Sequence, residues 1–538
     1  MILKTLLLLF FTTSIFALTE DKITLDWLTQ QPKSYAKDFY IWRYLDKDIS
    51  PKQANEALSQ VKYFNNKIFY RYITKSNDEV YKDYKSCMKS KTSILVQKQD
   101  YCIEAGLSIY EATKLSKQNL QKVIKKTEKE YPKFTSKLEV LNSAIPFKTL
   151  EQSDSETFFG VFNECGGVYR VRYFNQFFPK SLIEKLKNEK EFGQTVKLIV
   201  TNSAMKKAQK SLLNLDASEL DFKTTFHLAI NAIKHKKEKI ALKYLELAYS
   251  KAYFKMEKDN ITFWKYQLTQ DKKYLEDLTN SWDVNIYTLY ANERLKKEQK
   301  NIIYTVNQNK SSNIKYDISN PFQWLLVLDD TKKLDEKKLQ KYQDTFVTDE
   351  TLGHLAFVNE RYYKYRNSYF VTPFQKYLKK LDKERQALIY AIGRQESRFI
   401  PTSISSAYAM GTMQIMPFLS RAIAKQLKEP YDIDKQLEAK TNLRYADHHL
   451  DYLTKRLDNP LFVAYAYNGG IGFTTRLLKS GFFKKGKYEP YLSMELLPYD
   501  ETKKYGKKVL ANYFIYYNYL HKDKKINFQT LVNGIKNY

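Results

Sequence analysis

The chain has 538 residues, and its 89 Lys and Arg against 60 Asp and Glu give a formal net charge of +29 at pH 7. A length of several typical domains predicts more than one domain, while 43% hydrophobic residues exclude a largely disordered chain. Only 15 glycines and 13 prolines are present, which disfavours turn-rich β-sandwiches, propellers and barrels and predicts an all-α fold.

Residues 1–17 have the pattern of a secretory signal peptide. Lys4 precedes a short apolar run, and the small residue Ala17 closes a segment that is too short to span a bilayer. We expect cleavage after Ala17 and a soluble, exported protein in the periplasm; a buried N-terminal helix is the alternative. No later apolar run is long enough to span a membrane, so no transmembrane segment is expected after cleavage.

The strongly basic composition predicts a polyanionic partner. Nucleic acid, an anionic membrane face and an anionic polymer of the cell envelope all fit the charge. Because nucleic acid is scarce outside the cytoplasm, export favours an envelope polymer, and we expect no nucleic-acid partner.

Three cysteines are present. In an oxidising compartment Cys87 and Cys102, 15 positions apart, could join two neighbouring helices and leave Cys165 free. The other pairings stay open, because connectivity is not written in the sequence. No group of residues has the spacing of a zinc site, so we expect neither a metal nor a cofactor.

Successive amphipathic helices fill the region from about residue 18 to 305. Apolar residues recur at helical spacing from Phe226 to Leu247 and from Ile261 to Leu295. Helix pairs of this kind commonly stack, which predicts an α-superhelical body over residues 18–305. A glycine-containing stretch near residues 150–170 is a candidate internal boundary, and the alternation from Val168 to Tyr173 is a candidate short strand.

A polar run from Asn307 to Asn313 is the best candidate linker in the chain. We therefore expect a linker helical domain over residues 306–366. The remaining residues, 367–538, contain the sequence motifs that point to chemistry.

The first of these motifs contains Glu396. Asp382 is a plausible N-cap for a helix that runs towards Glu396, and Pro401 prevents its continuation. The negative end of the helix dipole and partial burial would both raise the pKa of a carboxyl group at this position. A general acid that works near neutral pH requires such a shift.

Three further blocks follow Glu396 in order. The four blocks are Glu396-Ser397-Arg398-Phe399 with Ser405 nearby, Ala409 to Pro417, Ala466 to Gly470, and Glu495 to Thr502. In this order and spacing they resemble the catalytic domain of the soluble lytic transglycosylases, which are peptidoglycan-cleaving enzymes of the goose-lysozyme-like type. The chain departs from the usual family pattern at Thr412, Gly470, Lys503 and Gly506.

The resemblance implies an α-superhelical body that could close into a ring, followed by a lysozyme-like catalytic domain. It also implies that Glu396 is the single catalytic acid/base, which cleaves the β-1,4 bond between N-acetylmuramic acid and N-acetylglucosamine and leaves a 1,6-anhydro product. The positions that match family residues lining the sugar groove are Ser405, Gln414, Met416, Tyr467 and Asn468, and Glu495 matches an acidic family position beside the groove. Tyr467 is suited to hydrogen-bond the Glu396 carboxyl group.

For two of these residues a purely structural role is the alternative. Met416 is as typical of a core as of a groove, and Glu495 could simply cap the C-terminal helix.

Two alternatives to a lytic transglycosylase also follow from the sequence. A true muramidase would need water and a second carboxylate, for which Asp432, Asp434 and Glu495 are candidates. A non-catalytic scaffold would bind peptidoglycan glycan strands without cleaving them. Other cell-wall enzymes are further candidate partners.

Overall fold

The computed structural model describes residues 20–309 and 315–537. The predicted signal peptide lies outside these residues, as does part of the polar run from Asn307 to Asn313. The described chain is built almost entirely from helices, so the predicted all-α fold is confirmed. Among the described residues, no helix is both long and apolar enough to cross a membrane.

Twenty-one α-helices form the N-terminal body of the described chain. They are α1 (Leu25–Gln30), α2 (Tyr35–Tyr44), α3 (Pro51–Ser59), α4 (Asn66–Lys75), α5 (Glu79–Lys89), α6 (Thr92–Leu95), α7 (Asp100–Gly106), α8 (Ile109–Ala112), α9 (Lys117–Thr127), α10 (Pro132–Asn142), α11 (Pro146–Gln152), α12 (Ser155–Glu164), α13 (Gly167–Phe174), α14 (Lys180–Leu186), α15 (Phe192–Val200), α16 (Lys206–Ser211), α17 (Phe222–Lys234), α18 (Glu238–Lys251), α19 (Lys255–Thr269), α20 (Lys272–Thr279) and α21 (Ile286–Arg294).

Twelve α-helices follow in the rest of the described chain. They are α22 (Pro321–Asp330), α23 (Glu336–Thr345), α24 (Leu352–Tyr362), α25 (Gln375–Leu378), α26 (Lys383–Glu396), α27 (Pro417–Gln426), α28 (Ala439–Thr454), α29 (Pro460–Gly469), α30 (Ile471–Lys479), α31 (Tyr491–Glu495), α32 (Asp500–Leu520) and α33 (Phe528–Asn533). Short 3-10 helices span Glu20–Lys22, Asp349–Thr351, Asp434–Leu437 and Gly534–Asn537.

Two strands of two residues each, β1 (Ile302–Ile303) and β2 (Ser368–Tyr369), pair in parallel. Their pairing brings the end of the body next to the start of the C-terminal region. Helices α22, α23 and α24 lie in the chain segment between the two strands and share an apolar cluster around Trp324, Phe346 and Leu355. The predicted linker domain limits of 306 and 366 stay a prediction.

The alternating stretch from Val168 to Tyr173 is not a strand. It forms α13, and Gly166, with a φ of +78°, separates α13 from α12. The residues that alternate in the sequence also have helical spacing: the rings of Tyr169 and Tyr173 contact each other with centroids 4.4 Å apart, while Arg170 and Phe174 are both buried. The strand prediction was wrong because an eight-residue segment is short enough to fit both periods.

Cys87 in α5 and Cys102 in α7 are joined by a disulfide, with their Cα atoms 5.0 Å apart. This bond links two neighbouring helices of the body. Cys165 is buried and not bonded to another cysteine.

The helical body contacts the C-terminal region at both of its ends. At one end, Arg43 of α2 pairs with Asp434 at 2.6 Å. At the other end, α21 packs against α32 and α33. Between the two ends, Lys197 of α15 pairs with Asp500 at 2.9 Å. The two ends of the body, and α15 between them, therefore all contact the C-terminal region.

Candidate active site

Helix α26 carries Glu396 as its last residue. The helix begins where predicted, since the Asp382 side chain accepts a hydrogen bond from the Arg385 amide. After Glu396 the chain turns sharply: Arg398 and Phe399 have φ values of +59° and +66°. Gly353 of α24 lies against this turn, where a Cβ atom would come within 2.5 Å of the Arg398 carbonyl oxygen.

The Glu396 carboxyl group accepts a hydrogen bond of 2.7 Å from the Tyr505 hydroxyl. Burial raises the pKa of Glu396 to about 7; the Tyr505 hydrogen bond lowers it, and the charge of Glu501 raises it. The sequence-based expectation of a raised pKa is therefore met, and burial is the main cause. Near neutral pH this group can both donate and accept a proton.

Tyr505, and not Tyr467, is the hydrogen-bond partner of Glu396. The Tyr467 hydroxyl donates instead to the Met413 carbonyl oxygen at 2.7 Å, so the expected Tyr467 contact was wrong. Burial holds the pKa of Tyr467 well above its usual value, and the nearby charge of Glu396 raises this pKa further. Met413 belongs to the loop that adjoins Glu396, where the Ser397 hydroxyl donates to the Thr412 carbonyl oxygen at 2.7 Å.

That loop, residues 403–416, is called the active-site loop below. It folds back on itself: Met410 and Ile415 exchange two backbone hydrogen bonds of 3.0 and 2.9 Å, and Met410 also bridges Ile404. The Gln414 amide nitrogen donates to the carbonyl oxygens of Ser403 and Gly411 at 3.0 and 2.8 Å. The amide oxygen is therefore the polar group that Gln414 can offer to a ligand.

The other predicted groove residues differ in what their side chains contact. The Ser405 hydroxyl accepts from the Ala409 amide at 2.9 Å and so stabilises the active-site loop. Met416 is partly exposed at the N-cap of α27 and belongs to none of the apolar clusters of the described residues, which favours the groove over the core.

Asn468, at the end of α29, is held by the first turn of α32. Its amide nitrogen donates to Glu501 at 3.2 Å, and its amide oxygen accepts from Thr502 at 2.7 Å. Asn468 and Tyr467 therefore connect the active-site loop on one side with α32 on the other.

Glu495 lies in a buried ion pair rather than an open groove. Its carboxylate is 3% exposed, pairs with Lys507 at 2.5 Å and accepts from Tyr287 of α21 at 2.9 Å. Burial opposes ionisation, but Lys507 and Lys503 hold the pKa of Glu495 below its usual value. The helix-cap alternative also fails, because α32 has Tyr499 as its N-cap and no side-chain cap.

Glu495 faces a cavity between the helical body and the C-terminal region. Its lining includes His227, Trp282, Tyr287, Arg398, Glu495 and Lys503. Among the described residues, no group of three or more His, Cys, Asp or Glu side chains has the geometry of a metal site.

Comparison with known proteins shows which family this part of the chain resembles. Residues 373–489 match the family described as "Transglycosylase SLT domain". The similarity therefore concerns the part of the chain that contains Glu396. The chain is 34% identical over 142 residues to the soluble lytic murein transglycosylase of Escherichia coli K12, and 32% identical over 128 residues to a putative one of Haemophilus influenzae.

These alignments cover 26% and 23% of this chain, and the chain spans about a fifth (21%) of the length of either curated relative. Among solved structures, the 70 kDa soluble lytic transglycosylase Slt70 of Escherichia coli aligns with 95% of this chain and 84% of its own, at 16% identity and a TM-score of 0.48. An inactive mutant of lytic transglycosylase Slt from Pseudomonas aeruginosa aligns with 95% of this chain and 90% of its own, at 15% identity and the same TM-score of 0.48.

Several residues of the site lie outside the matched SLT domain. Tyr505 and Glu501 follow it, on α32, and Glu360 precedes it, on α24. The Glu360 side chain is 4% exposed, and its carboxylate pairs with the guanidinium groups of Arg394 at 2.8 Å and Arg398 at 3.2 Å. These arginines lie two positions before and two positions after Glu396. Sequence reasoning missed Tyr505, although it lies one helical turn beyond Glu501 in the fourth motif.

Proposed function

We propose that the protein is a lytic transglycosylase that cleaves the β-1,4 bond between N-acetylmuramic acid and N-acetylglucosamine in peptidoglycan. The observation that carries this proposal is Glu396, a carboxyl group with a pKa near 7 at a helix end, beside the loop and helices of an SLT domain. The curated relatives named as soluble lytic murein transglycosylases support the same substrate class.

In the proposed reaction the protonated Glu396 gives its proton to the glycosidic oxygen, and the C1–O bond of the muramoyl residue breaks. The N-acetyl group of that residue assists by stabilising the oxocarbenium-like centre. The Glu396 carboxylate then takes the proton of the C6 hydroxyl, and the C6 oxygen bonds to C1. The product is a 1,6-anhydromuramoyl end, no water is consumed, and Glu396 is again protonated.

Tyr505 suits both halves of this cycle. Its hydroxyl donates to the Glu396 carboxylate after the first proton transfer and keeps the carboxyl group oriented. Burial keeps the pKa high enough for the second transfer to return the proton at neutral pH.

The nominated second carboxylates do not favour a muramidase. Asp434 is buried against Arg43, Asp432 accepts from the Asp434 amide, and Glu495 is buried against Lys507. Glu501 is the carboxylate whose charge acts on Glu396, and it also accepts from Asn468. A single acid/base is therefore the better proposal for this site.

We infer further that the sugar groove uses the oxygen of Gln414, the side chain of Met416 and the ring of Tyr467, while Ser405 and Asn468 fix its walls. Peptidoglycan glycan strands are the proposed substrate, and the periplasm is the proposed compartment. Attraction to the anionic cell wall fits the basic composition, and other cell-wall enzymes are proposed partners.

The decisive experiment digests purified peptidoglycan with the unchanged protein and with Glu396→Gln, and identifies the fragments by mass spectrometry. Only the unchanged protein should release anhydro-muropeptides, each one water lighter than a hydrolysed fragment. Glu336→Gln, which changes an exposed glutamate of α23, is the matched control and should keep full activity.

Glu396→Gln should melt no lower than the unchanged protein at pH 8. The raised pKa means that the folded state disfavours the charged carboxylate above pH 7, and the amide removes that cost. Fragments with free reducing ends would instead identify a muramidase. Binding to peptidoglycan with no fragments from either protein would identify a non-catalytic scaffold.

A further inference from the structure

Tyr408 combines a strained backbone with a fully buried side chain in the active-site loop. Its φ is +65°, a left-handed conformation that bulky residues rarely adopt, and its side chain has no exposed surface. Such strain persists where the surrounding structure over-determines it. The neighbours of the Tyr408 ring therefore indicate what this conformation serves.

Those neighbours belong to the N-terminal helices. The Tyr408 ring centroid is 5.7 Å from that of Phe39 and 5.4 Å from that of Trp42, both in α2. The Tyr408 hydroxyl accepts from the Asn65 amide nitrogen at 3.0 Å and donates to the Asp38 carbonyl oxygen at 3.3 Å. The side chain thus fills a pocket formed by α2 and the N-cap of α4.

Two more contacts tie the N-terminal helices to the same loop. Lys67 of α4 donates to the Ala407 carbonyl oxygen at 2.5 Å. The pair of Arg43 and Asp434, in which neither side chain is more than 7% exposed, holds the 3-10 helix Asp434–Leu437. That 3-10 helix lies directly behind the loop.

Gly411 marks the contact between this 3-10 helix and the loop. Its φ is +81°, and a Cβ atom there would be 2.2 Å from the Gln436 carbonyl oxygen. The loop is therefore held on one side by α2 and α4, and on the other by a 3-10 helix that α2 itself anchors.

The loop backbone carries this anchoring to the groove. The Ser405 carbonyl accepts from the Tyr408 amide at 2.9 Å, and the Ser405 hydroxyl accepts from the next amide, that of Ala409. Farther along the same loop, the Met413 carbonyl accepts from the Tyr467 hydroxyl, and Gln414 is locked to the loop carbonyls. Movement at Tyr408 would displace these groups together.

We propose that Tyr408 is a positioning residue that anchors the active-site loop in the N-terminal helices, and so keeps Gln414 and Tyr467 in register with Glu396. The effect on catalysis rests on the proposed function, whereas the anchoring itself does not. The N-terminal helices α2 and α4 are then a support of the active site, although more than 300 residues separate them from the loop.

The first test substitutes Tyr408→Gly in the full chain. Glycine adopts a φ of +65° without strain, so the substitution removes the anchor while it relaxes the backbone. Hydrogen exchange of the amides of residues 403–416 should accelerate about tenfold, while exchange in α26 stays unchanged. On soluble glycan strands, kcat should fall about tenfold or more with KM within about twofold, because the groove residues lose alignment.

A milder pair keeps the test decisive if Tyr408→Gly does not fold. Tyr408→Phe keeps the ring but loses the hydroxyl, and Asn65→Ser keeps the N-cap of α4 but loses the amide that donates to Tyr408. Each should lower kcat several-fold, and the double variant should be no worse than Tyr408→Phe alone, because without the hydroxyl the Asn65 amide has no interaction left to lose. Tyr244→Phe, which removes a buried hydroxyl in α18 that donates to the Leu215 carbonyl, is the matched control and should leave kcat unchanged.

The result that would overturn the proposal is wild-type loop exchange or wild-type kcat in Tyr408→Gly. Additive losses in the double variant would also overturn it. If the unchanged protein has no activity on peptidoglycan, the proposed function fails, and the exchange measurement alone then decides whether the loop is anchored.

Discussion

The Glu396 carboxyl group has two neighbours with opposite effects on its pKa. The Tyr505 hydroxyl stabilises the carboxylate and lowers the pKa, while the charge of Glu501 destabilises it and raises the pKa. A general acid works in its protonated form, so activity should decline as the pH rises through about 7. The position of this alkaline decline reports the pKa of Glu396.

Substitution of each neighbour should move that decline in a different direction. Tyr505→Phe removes the hydrogen bond to the carboxylate, so the pKa of Glu396 rises and the decline moves to higher pH. Its kcat at the optimum should fall about tenfold, as expected for the loss of one charge-assisted hydrogen bond of about 1.4 kcal/mol.

Glu501→Gln removes a negative charge but keeps an acceptor for Asn468, so the pKa of Glu396 falls and the decline moves to lower pH. The check is a pH profile of kcat for the two variants and the unchanged protein. A shift of both variants in the same direction would contradict the assignment of Glu396 as the titrating acid.

At this scale the sequence predicted the helix that carries Glu396 but not the hydrogen-bond partner of Glu396. Glu396 lies at the end of a helix whose cap, apolar stripe and terminating proline are all local signals. Tyr505 is 109 positions away, and only the packing of α32 on α26 brings the two together. The sequence favours Tyr467 as the partner of Glu396 because Tyr467 belongs to a recognisable motif. Membership of a motif does not fix the distance between two side chains.

Helix α24 contacts the end of α26 through the ion pairs of Glu360. The Glu360 carboxylate contacts Arg394 at 2.8 Å and Arg398 at 3.2 Å, and these arginines lie two positions before and two after Glu396. Glu360 and Arg394 have side chains at most 11% exposed. Loss of one partner of a buried ion pair leaves the other charge uncompensated.

Glu360→Gln should therefore destabilise the fold by about 3–5 kcal/mol and lower the melting temperature by several degrees. Glu350→Gln is the matched control: Glu350 pairs with Lys376 at the surface, where the side chains are 31% and 58% exposed, and its loss should cost less than about 1 kcal/mol. The measurement is thermal unfolding of both variants, followed by the helical circular dichroism signal. Equal melting temperatures for the two variants would show that the ion pairs of Glu360 do not stabilise α26.

The same comparison of elements shows which helices could be predicted. Long amphipathic helices with polar caps, such as α17 and α26, carry their own start and stop signals. Helix α13 has neither a side-chain cap nor enough length to distinguish two periods. Its conformation is fixed by burial of Arg170, whose guanidinium donates to the Phe162 carbonyl oxygen, and that contact is not readable from the segment itself.

The attachment of the helical body to the C-terminal region is a property of the whole molecule. It joins residues that are hundreds of positions apart, such as Arg43 with Asp434 and Lys197 with Asp500. No local pattern encodes such pairs, and the ring that the family resemblance implies stays a prediction. The composition, in contrast, predicted the charge of the molecule's surface directly.

A net charge of +29 should draw the protein to an anionic polymer such as peptidoglycan. Electrostatic attraction between exposed charges is screened over about 10 Å at 0.1 M salt and about 3 Å at 1 M. The rate of cleavage of intact sacculi should therefore fall steeply as the salt concentration rises through this range, with the change in kcat/KM and not in kcat.

Sacculi whose carboxylates have been converted to amides are the matched control, because they keep the glycan but lose the negative charge. Cleavage of these sacculi should be slower at low salt and nearly independent of salt. If the two substrates show the same salt dependence, the basic surface does not act by attracting the carboxylates of the wall. Salt would then be acting on the enzyme itself, most directly on surface ion pairs such as that of Lys487 with Glu238, which joins the SLT domain to the body at 3.3 Å.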